Sequence, residues 1–304
     1  MSIYNAYMTL SGAVDADITR NERLSHRTSY RIGGPAAMLA ICHTPRSLAR
    51  VIEVLGQQEV DWVVLGKGSN LLVADSGYDG CVVVLGREFS RLEVSREDST
   101  LTAGAAVPLS KLVSSAMKSS LSGLEFACGI PGTFGGAISM DAGTRREWIG
   151  RRISSLVTLV PGQGLRRHPG SEVEWGYRWT SLEPAEVVLE ATLMLEPKDR
   201  YEISAEMESR LARRRATQPM GRPSCGSVFR NPTGPRGAAQ LIEGAGLKGY
   251  SVGGAQVSEV HANFIVNNGT ATAADVVAVM RAMHDRVREV YGVDLQLEVK
   301  LLGF

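Results

Sequence analysis

The sequence predicts an α+β protein of two units, and three observations carry that prediction. Apolar residues recur at helical spacing in some stretches and alternate at strand spacing in others, and the two patterns are interleaved along the chain. A length of 304 residues with 44% apolar and 21% charged residues allows two compact cores. A charged helix ending in arginines, Tyr201 to Thr217, separates two stretches of mixed pattern, so a first domain is expected over 1–200 and a second over 201–304.

After an irregular start, Thr44 to Gln57 reads as a helix. Thr44 can cap it, Pro45 suits its first turn, Leu48, Val51, Ile52 and Leu55 share one face, and Gly56 can end it. Strands are expected at Trp62–Leu65, Cys81–Leu85, Leu92–Val94 and Thr100–Ala103, then a helix from Pro108 to about Leu121. Strands Ile153–Val160 and Val187–Leu195 flank the turn Pro161-Gly162-Gln163-Gly164. Beyond the boundary helix come a short helix at Ala238–Gly244, strands at Ala255–Val257 and Asn263–Val266, and a helix from Ala273 to Tyr291 that Thr272 and Asp275 can box. Val293, Leu295, Leu297, Val299 and Leu301 then alternate with Asp294, Gln296, Glu298 and Lys300, which predicts a half-buried terminal strand with Glu298 on its polar face.

Charge and cysteine usage narrow the function classes. Lysine plus arginine (33) balance aspartate plus glutamate (32), so no broad positive field exists to attract nucleic acid. Met1 to Leu24 lacks signal-peptide character, and the uncharged run Phe126–Met140 is shorter than the roughly 18 residues a membrane span needs, so a cytoplasmic protein without a membrane anchor is expected. Cys42, Cys81, Cys128 and Cys225 form no CxxC pair, which argues against a disulfide framework or a metal site and for reduced thiols.

Glycine is the unusual component, with 33 residues gathered in a few loops. Trp62-Val63-Val64-Leu65 opens into Gly66-Lys67-Gly68-Ser69-Asn70-Leu71-Leu72, where backbone N–H groups, Lys67 and the Ser69 hydroxyl can meet a phosphate. Neither a Rossmann fingerprint nor a P-loop is present, because the third glycine and the following helix are missing. A second loop, Gly129-Ile130-Pro131-Gly132-Thr133-Phe134-Gly135-Gly136-Ala137, packs four glycines into its first eight residues. Two such loops suggest a dinucleotide.

Thr28-Ser29-Tyr30-Arg31-Ile32-Gly33-Gly34-Pro35-Ala36, the Gly66–Leu72 loop and the Gly129–Ala137 loop occur in the order found in UDP-N-acetylenolpyruvoylglucosamine reductases, and the chain resembles that family from about Thr28 to Gly303. The resemblance implies a non-covalent FAD in a fold similar to the vanillyl-alcohol-oxidase (PCMH-type) flavoproteins, a C-terminal α+β substrate domain, and NADPH as reductant. It implies that Arg31, Gly33, Gly66, Lys67, Gly68, Ser69, Asn70, Leu71, Gly129, Ile130, Pro131, Gly132, Thr133, Gly135, Gly136 and Ala137 line the cofactor. No long insertion separates the halves, as in the shorter subtype. One departure is visible: Asp141-Ala142-Gly143-Thr144-Arg145-Arg146 stands where the family usually has Asn-Ala-Gly-Ala-Tyr-Gly.

Reduction of an enol ether needs a hydride at one carbon, a proton at its neighbour and positive groups for the enolate between. Tyr177-Arg178-Trp179-Thr180-Ser181 resembles the family's Tyr-Arg-x-Ser element, which gives Arg178 the enolate or carboxylate and Tyr177 a place at the substrate. Gly226-Ser227-Val228-Phe229-Arg230-Asn231-Pro232 matches the Gly-Ser-x-Phe-x-Asn-Pro element, which makes Ser227 the proton donor and leaves Arg230 and Asn231 for the diphosphate or uracil. Glu298-Val299-Lys300 matches the closing Glu-Val-[Lys/Arg] element, in which the glutamate assists protonation, and Gln256 falls in another shared stretch, while His261 reads as a packing or capping residue.

From the residues alone, Arg178 is an exposed loop arginine, Ser227 a turn and Glu298 a solvated glutamate. The resemblance implies catalysis on a small-molecule UDP-sugar, and it is silent on oligomeric state. Two rivals stand beside it: another flavoprotein oxidase or dehydrogenase of the same fold, and a catalytically silent nucleotide-binding regulator.

Overall fold

The computed structural model describes residues 2–144 and 146–304. The chain divides into two compact units, the first made of Met1–Arg20, Met38–Gly66 and Gly80–Ala212, the second of Asn21–Ala37, Lys67–Asp79 and Arg213–Phe304. The sequence reading instead cuts the chain once, after residue 200. Two early segments belong to the second unit because their partners lie far along the chain: Asn267 Nδ2 donates to Tyr30 O at 2.9 Å, and Lys300–Leu302 pairs in parallel with Leu71–Val73.

In the first unit, an antiparallel sheet runs in the order Gly164–Pro169, Ile153–Val160, Val187–Met194, Thr100–Gly104, Leu92–Ser95. Its core joins Leu101, Leu156 and Leu193 to Leu112, Phe134 and Ile138. A second sheet has the order Ala16–Arg23, Pro35–Cys42, Tyr78–Leu85, Trp62–Val64. Helices α1 (Ile3–Leu10) and α2 (Pro45–Gln57) contribute Ala6, Leu10, Leu48, Val51 and Leu55 to a core with Met38, Ala40 and Val83. The Thr44 hydroxyl accepts from Ser47 N at 3.0 Å and the Ser47 hydroxyl from Thr44 N at 3.1 Å, a reciprocal cap that starts α2 at Pro45.

Helix α3 covers Leu109–Lys118, shorter than its apolar pattern, because Ser120 turns left-handed and Leu121–Ser122 pairs with Glu196–Pro197. A short α4 (Phe134–Ser139) follows the second glycine loop, and α5 spans Arg200–Thr217. The start is not irregular. Strand Ala16–Arg23 was hidden from a period-2 reading because its Asp17, Thr19, Arg20, Asn21 and Glu22 place polar groups on both faces.

The second unit holds α6 (Ala238–Gly244), α7 (Ala273–Tyr291) and the sheet Ser251–Val252, Ala255–Val257, Ile265–Asn267 around one core. Thr272 and Asp275 box the start of α7 as expected, and a left-handed Gly292 closes it. The terminal segment departs from its pattern. Only Lys300–Leu302 is a strand, and Leu297 and Leu301 are exposed although the alternation assigns them to the core. Glu298 N and Val299 N both reach Val228 O, at 2.8 and 3.3 Å, so the chain bulges there and the alternation is lost. Among the described residues, no helix is long and apolar enough to cross a membrane.

Candidate active site

The glycine loop of the first unit is fixed against its own sheet end. Phe134 N and Gly135 N donate to Val107 O and Ala105 O, each at 2.8 Å, and the Thr133 hydroxyl accepts from Gly136 N as the cap of α4. Gly135 is demanded by this approach, since a Cβ would lie 2.7 Å from the Ala105 Cβ. Gly66 sits against the same turn, its absent Cβ 2.6 Å from Thr133 Oγ1. Gly129, Pro131 and Gly136 face solvent.

Arg178 lies on a two-residue hairpin between Trp175–Gly176 and Trp179–Thr180. Its backbone is left-handed (φ 60°), uncommon for arginine, and its guanidinium donates from Nη1 and Nη2 to Gly143 O at 3.4 Å while covering the exposed Tyr177 ring. Gly143 belongs to the departing stretch. Asp141 there is buried, accepts from Gly150 N at 3.0 Å, and has its carboxyl pushed up to about 6 by burial, against the pull of that N–H and of the Arg178 charge. Gly143 pairs with Trp148, and Arg145 lies outside the described residues.

In the second unit, Thr28 to Ile32 forms a tight turn with Arg31 exposed and left-handed, and Ser29 donates from both N and Oγ to Gly68 O at 3.1 and 3.2 Å. Gly33 is held against Val73, its absent Cβ 2.7 Å from the valine Cβ. Gly68 has φ 58°, and its side-chain direction runs into Arg27 O and, at 2.8 Å, Thr28 Cα. The Arg27–Thr28 backbone fills that direction, so the turn itself requires glycine at position 68. Lys67 projects to solvent, Ser69 and Asn70 are half-buried, and Asn70 Nδ2 donates to Glu298 O at 3.0 Å.

Ser227 and Glu298, 71 residues apart by subtraction of their numbers, stand on adjacent hydrogen-bonded segments. Glu298 N donates to Val228 O at 2.8 Å, Arg230 N to Gln296 O at 2.8 Å, and Phe229 bridges Leu297. On the other side, Val228 N donates to Asn263 O, and the Asn263 side chain accepts from Phe229 N at 3.0 Å and donates to Phe229 O at 2.8 Å. Ser227 therefore opens a segment held from both flanks. Asn263 thus supports this segment, a role that its sequence neighbourhood hints at, since a buried amide stands inside the apolar run Ala262-Asn263-Phe264-Ile265-Val266.

The Cys225 thiol donates to Leu71 O at 2.9 Å, and burial raises it to about 12, which makes it an inert packing thiol. Asn231 Oδ1 accepts from Ala238 N at 3.0 Å, Gln256 Nε2 donates to Gly249 O at 3.3 Å, and Arg230 is exposed. His261 packs edge-on against Phe264, accepts from Asn263 N at 3.3 Å, and is held below the usual histidine range chiefly by burial.

The residues fit a dinucleotide by their chemistry. Both glycine loops offer backbone and hydroxyl donors with Lys67, and neither contains a carboxylate that would repel a pyrophosphate. Residues 36–159 match an FAD binding domain, and with the two loops this defines a flavin-dependent oxidoreductase. Residues 218–302 match the UDP-N-acetylenolpyruvoylglucosamine reductase C-terminal domain. The chain is 44% identical over 286 residues to the UDP-N-acetylenolpyruvoylglucosamine reductase of Heliobacterium modesticaldum, covering 93% of this chain and 90% of that one. It is 40% identical over 288 residues to that of Bacillus subtilis, covering 94% of each. The crystal structure of the Thermus caldophilus reductase superposes with a TM-score of 0.80 at 34% identity, covering 94% of this chain and 98% of that one. The chain belongs to the UDP-N-acetylenolpyruvoylglucosamine reductase family.

Proposed function

We propose that this protein reduces UDP-N-acetylenolpyruvoylglucosamine to UDP-N-acetylmuramate, with NADPH as electron source and FAD held non-covalently, as a cytoplasmic step of peptidoglycan synthesis. The observation that carries the reading is the juxtaposition of Ser227 and Glu298 on hydrogen-bonded segments of one unit. When bound, FAD supplies hydride uptake from NADPH and hydride delivery to the enolpyruvyl group.

The chain's own residues do the rest. Ser227 holds the proton that the neighbouring carbon receives, and Glu298 assists its transfer. Arg178 grips the substrate carboxylate and stabilises the enolate, a charge that a fixed guanidinium fork suits. Tyr177, Arg230, Asn231 and Gln256 contact the UDP-sugar. Arg31, Gly33, Gly66–Leu71 and Gly129–Gly132 with Thr133, Gly135, Gly136 and Ala137 line the cofactor, with Lys67 and the loop amides opposite its phosphates.

Stopped-flow absorbance of the flavin tests this. NADPH should bleach it, and the UDP-enolpyruvyl sugar should restore the oxidised spectrum. Ser227→Ala should leave bleaching nearly unchanged and slow restoration by about 10² to 10⁴-fold, the usual contribution of a positioned general acid. Flavin that NADPH reduces but this sugar fails to reoxidise would point to another flavoprotein reaction, restoration at the wild-type rate in Ser227→Ala would remove Ser227 as the proton donor, and equal slowing of both steps would point to misfolding or poor FAD binding.

A further inference from the structure

The Gly66–Leu72 loop is read as a phosphate cradle, yet the Asn70 side chain faces the terminal segment. Its Nδ2 donates to Glu298 O at 3.0 Å, across 228 positions of sequence, while its backbone O accepts from Lys300 N at 3.1 Å. Asn70 thus brackets Val299 from both sides, at the point where the chain bulges and the Glu298 side chain departs from simple alternation. The next residue extends the hold, because Leu71 O accepts from the Cys225 thiol, two positions before Ser227.

We propose that Asn70 is a positioning residue for proton delivery: its side-chain amide fixes the Glu298 backbone, and so the carboxylate, beside Ser227. The proposal rests on the reading of Ser227 and Glu298 as the proton-delivery pair. Its physical content is geometric. Glu298 N and Val299 N both meet Val228 O at the bulge, so a backbone shift there redirects the Glu298 side chain, and a misplacement of about 1 Å can cost about 10²-fold in rate. The amide supplies a third point of attachment, and it comes from the loop that meets the cofactor.

The test uses the FAD-loaded full chain carrying Asn70→Ala, and the shape-matched Asn70→Asp, which replaces the donor with an acceptor. Per bound flavin, reoxidation by the UDP-enolpyruvyl sugar should slow by about 10- to 100-fold in both variants, well beyond any change in NADPH bleaching. Because Asn70 acts through Glu298, adding Asn70→Ala to Glu298→Ala should cost less than about 2-fold more. Independent, multiplying losses in the double variant would overturn the proposal, as would unchanged reoxidation in either single variant. Loss of FAD in step with both half-reactions would also overturn it, by making the side chain a cofactor contact. A wild-type flavin that the sugar never reoxidises would overturn the functional reading itself, seen before any variant is compared, and the proposal would fall with it.

Discussion

Asp141 carries an electrostatic cost that the pH dependence of stability can expose. Burial raises its carboxyl to about 6 from an ordinary value near 4, so the folded chain binds this proton more tightly than the unfolded chain. Stability from this group is therefore greatest below about pH 4, falls as pH rises to about 6, and is lower by roughly 2–3 kcal/mol above that. Asp141→Asn keeps an acceptor for Gly150 N and never ionises. It should match wild type near pH 4 and exceed it by about 1–3 kcal/mol at pH 8, measured by urea denaturation at both values. A difference that does not change with pH would mean that burial leaves the Asp141 carboxyl at its unfolded-state value. At this scale the sequence announced the right position and little of its physics. The stretch was visible as a departure, but neither its burial nor its nearness to Arg178 can be read from spacing. Gly68 shows the same limit: the glycine-rich loop is visible in sequence, but the Arg27–Thr28 backbone that requires a glycine at 68 is not revealed by any local pattern.

Elements with strong period and end signals were legible, and those defined by long-range pairing were not. The α7 helix follows its apolar pattern from Ala273 to Tyr291 because the signals at both ends are local. The terminal strand failed because alternation reports a propensity, while the bulge at Glu298 is imposed by Val228 O. One cap of α7 also escaped a local reading. Asp75 lies 198 positions before Ala273, and its carboxylate accepts from Ala273 N at 2.8 Å and Ala274 N at 3.1 Å. These are first-turn amides with no partner inside the helix, and a carboxylate there also meets the positive end of the helix dipole. Asp75→Ala should lower stability by about 1–2 kcal/mol with no change in the NADPH bleaching rate, measured by thermal unfolding and stopped flow. Asp75→Asn, which keeps acceptor oxygen but loses charge, should recover part of the loss.

Across the whole molecule, the segments that the sequence reading groups as cofactor-lining divide between the units: Gly66 and Gly129–Ala137 fall in the first, Arg31, Gly33 and Lys67–Leu71 in the second. Composition and periodicity could suggest two units but could not thread the chain through them, since the decisive contacts join Tyr30 to Asn267 and Asn70 to Glu298 over more than 200 residues. Each loop can nevertheless be tested by itself. A ligand that binds only the folded state stabilises it by RT ln(1 + [L]/Kd), about 2.7 kcal/mol at 100 Kd, and amides that it contacts open less often. Protein stripped of FAD should therefore unfold at a lower temperature than the loaded form and recover when FAD is added. Hydrogen exchange should slow on addition both at Gly66–Leu71 and at Gly129–Ala137. The flanking Gly162–Gly164 turn, exposed and remote in sequence from either loop, is the internal control and should exchange at the same rate in both forms. Protection at only one loop would remove the other from the cofactor site, and its glycines would then be explained by packing alone, as the Gly135 contact with Ala105 already is.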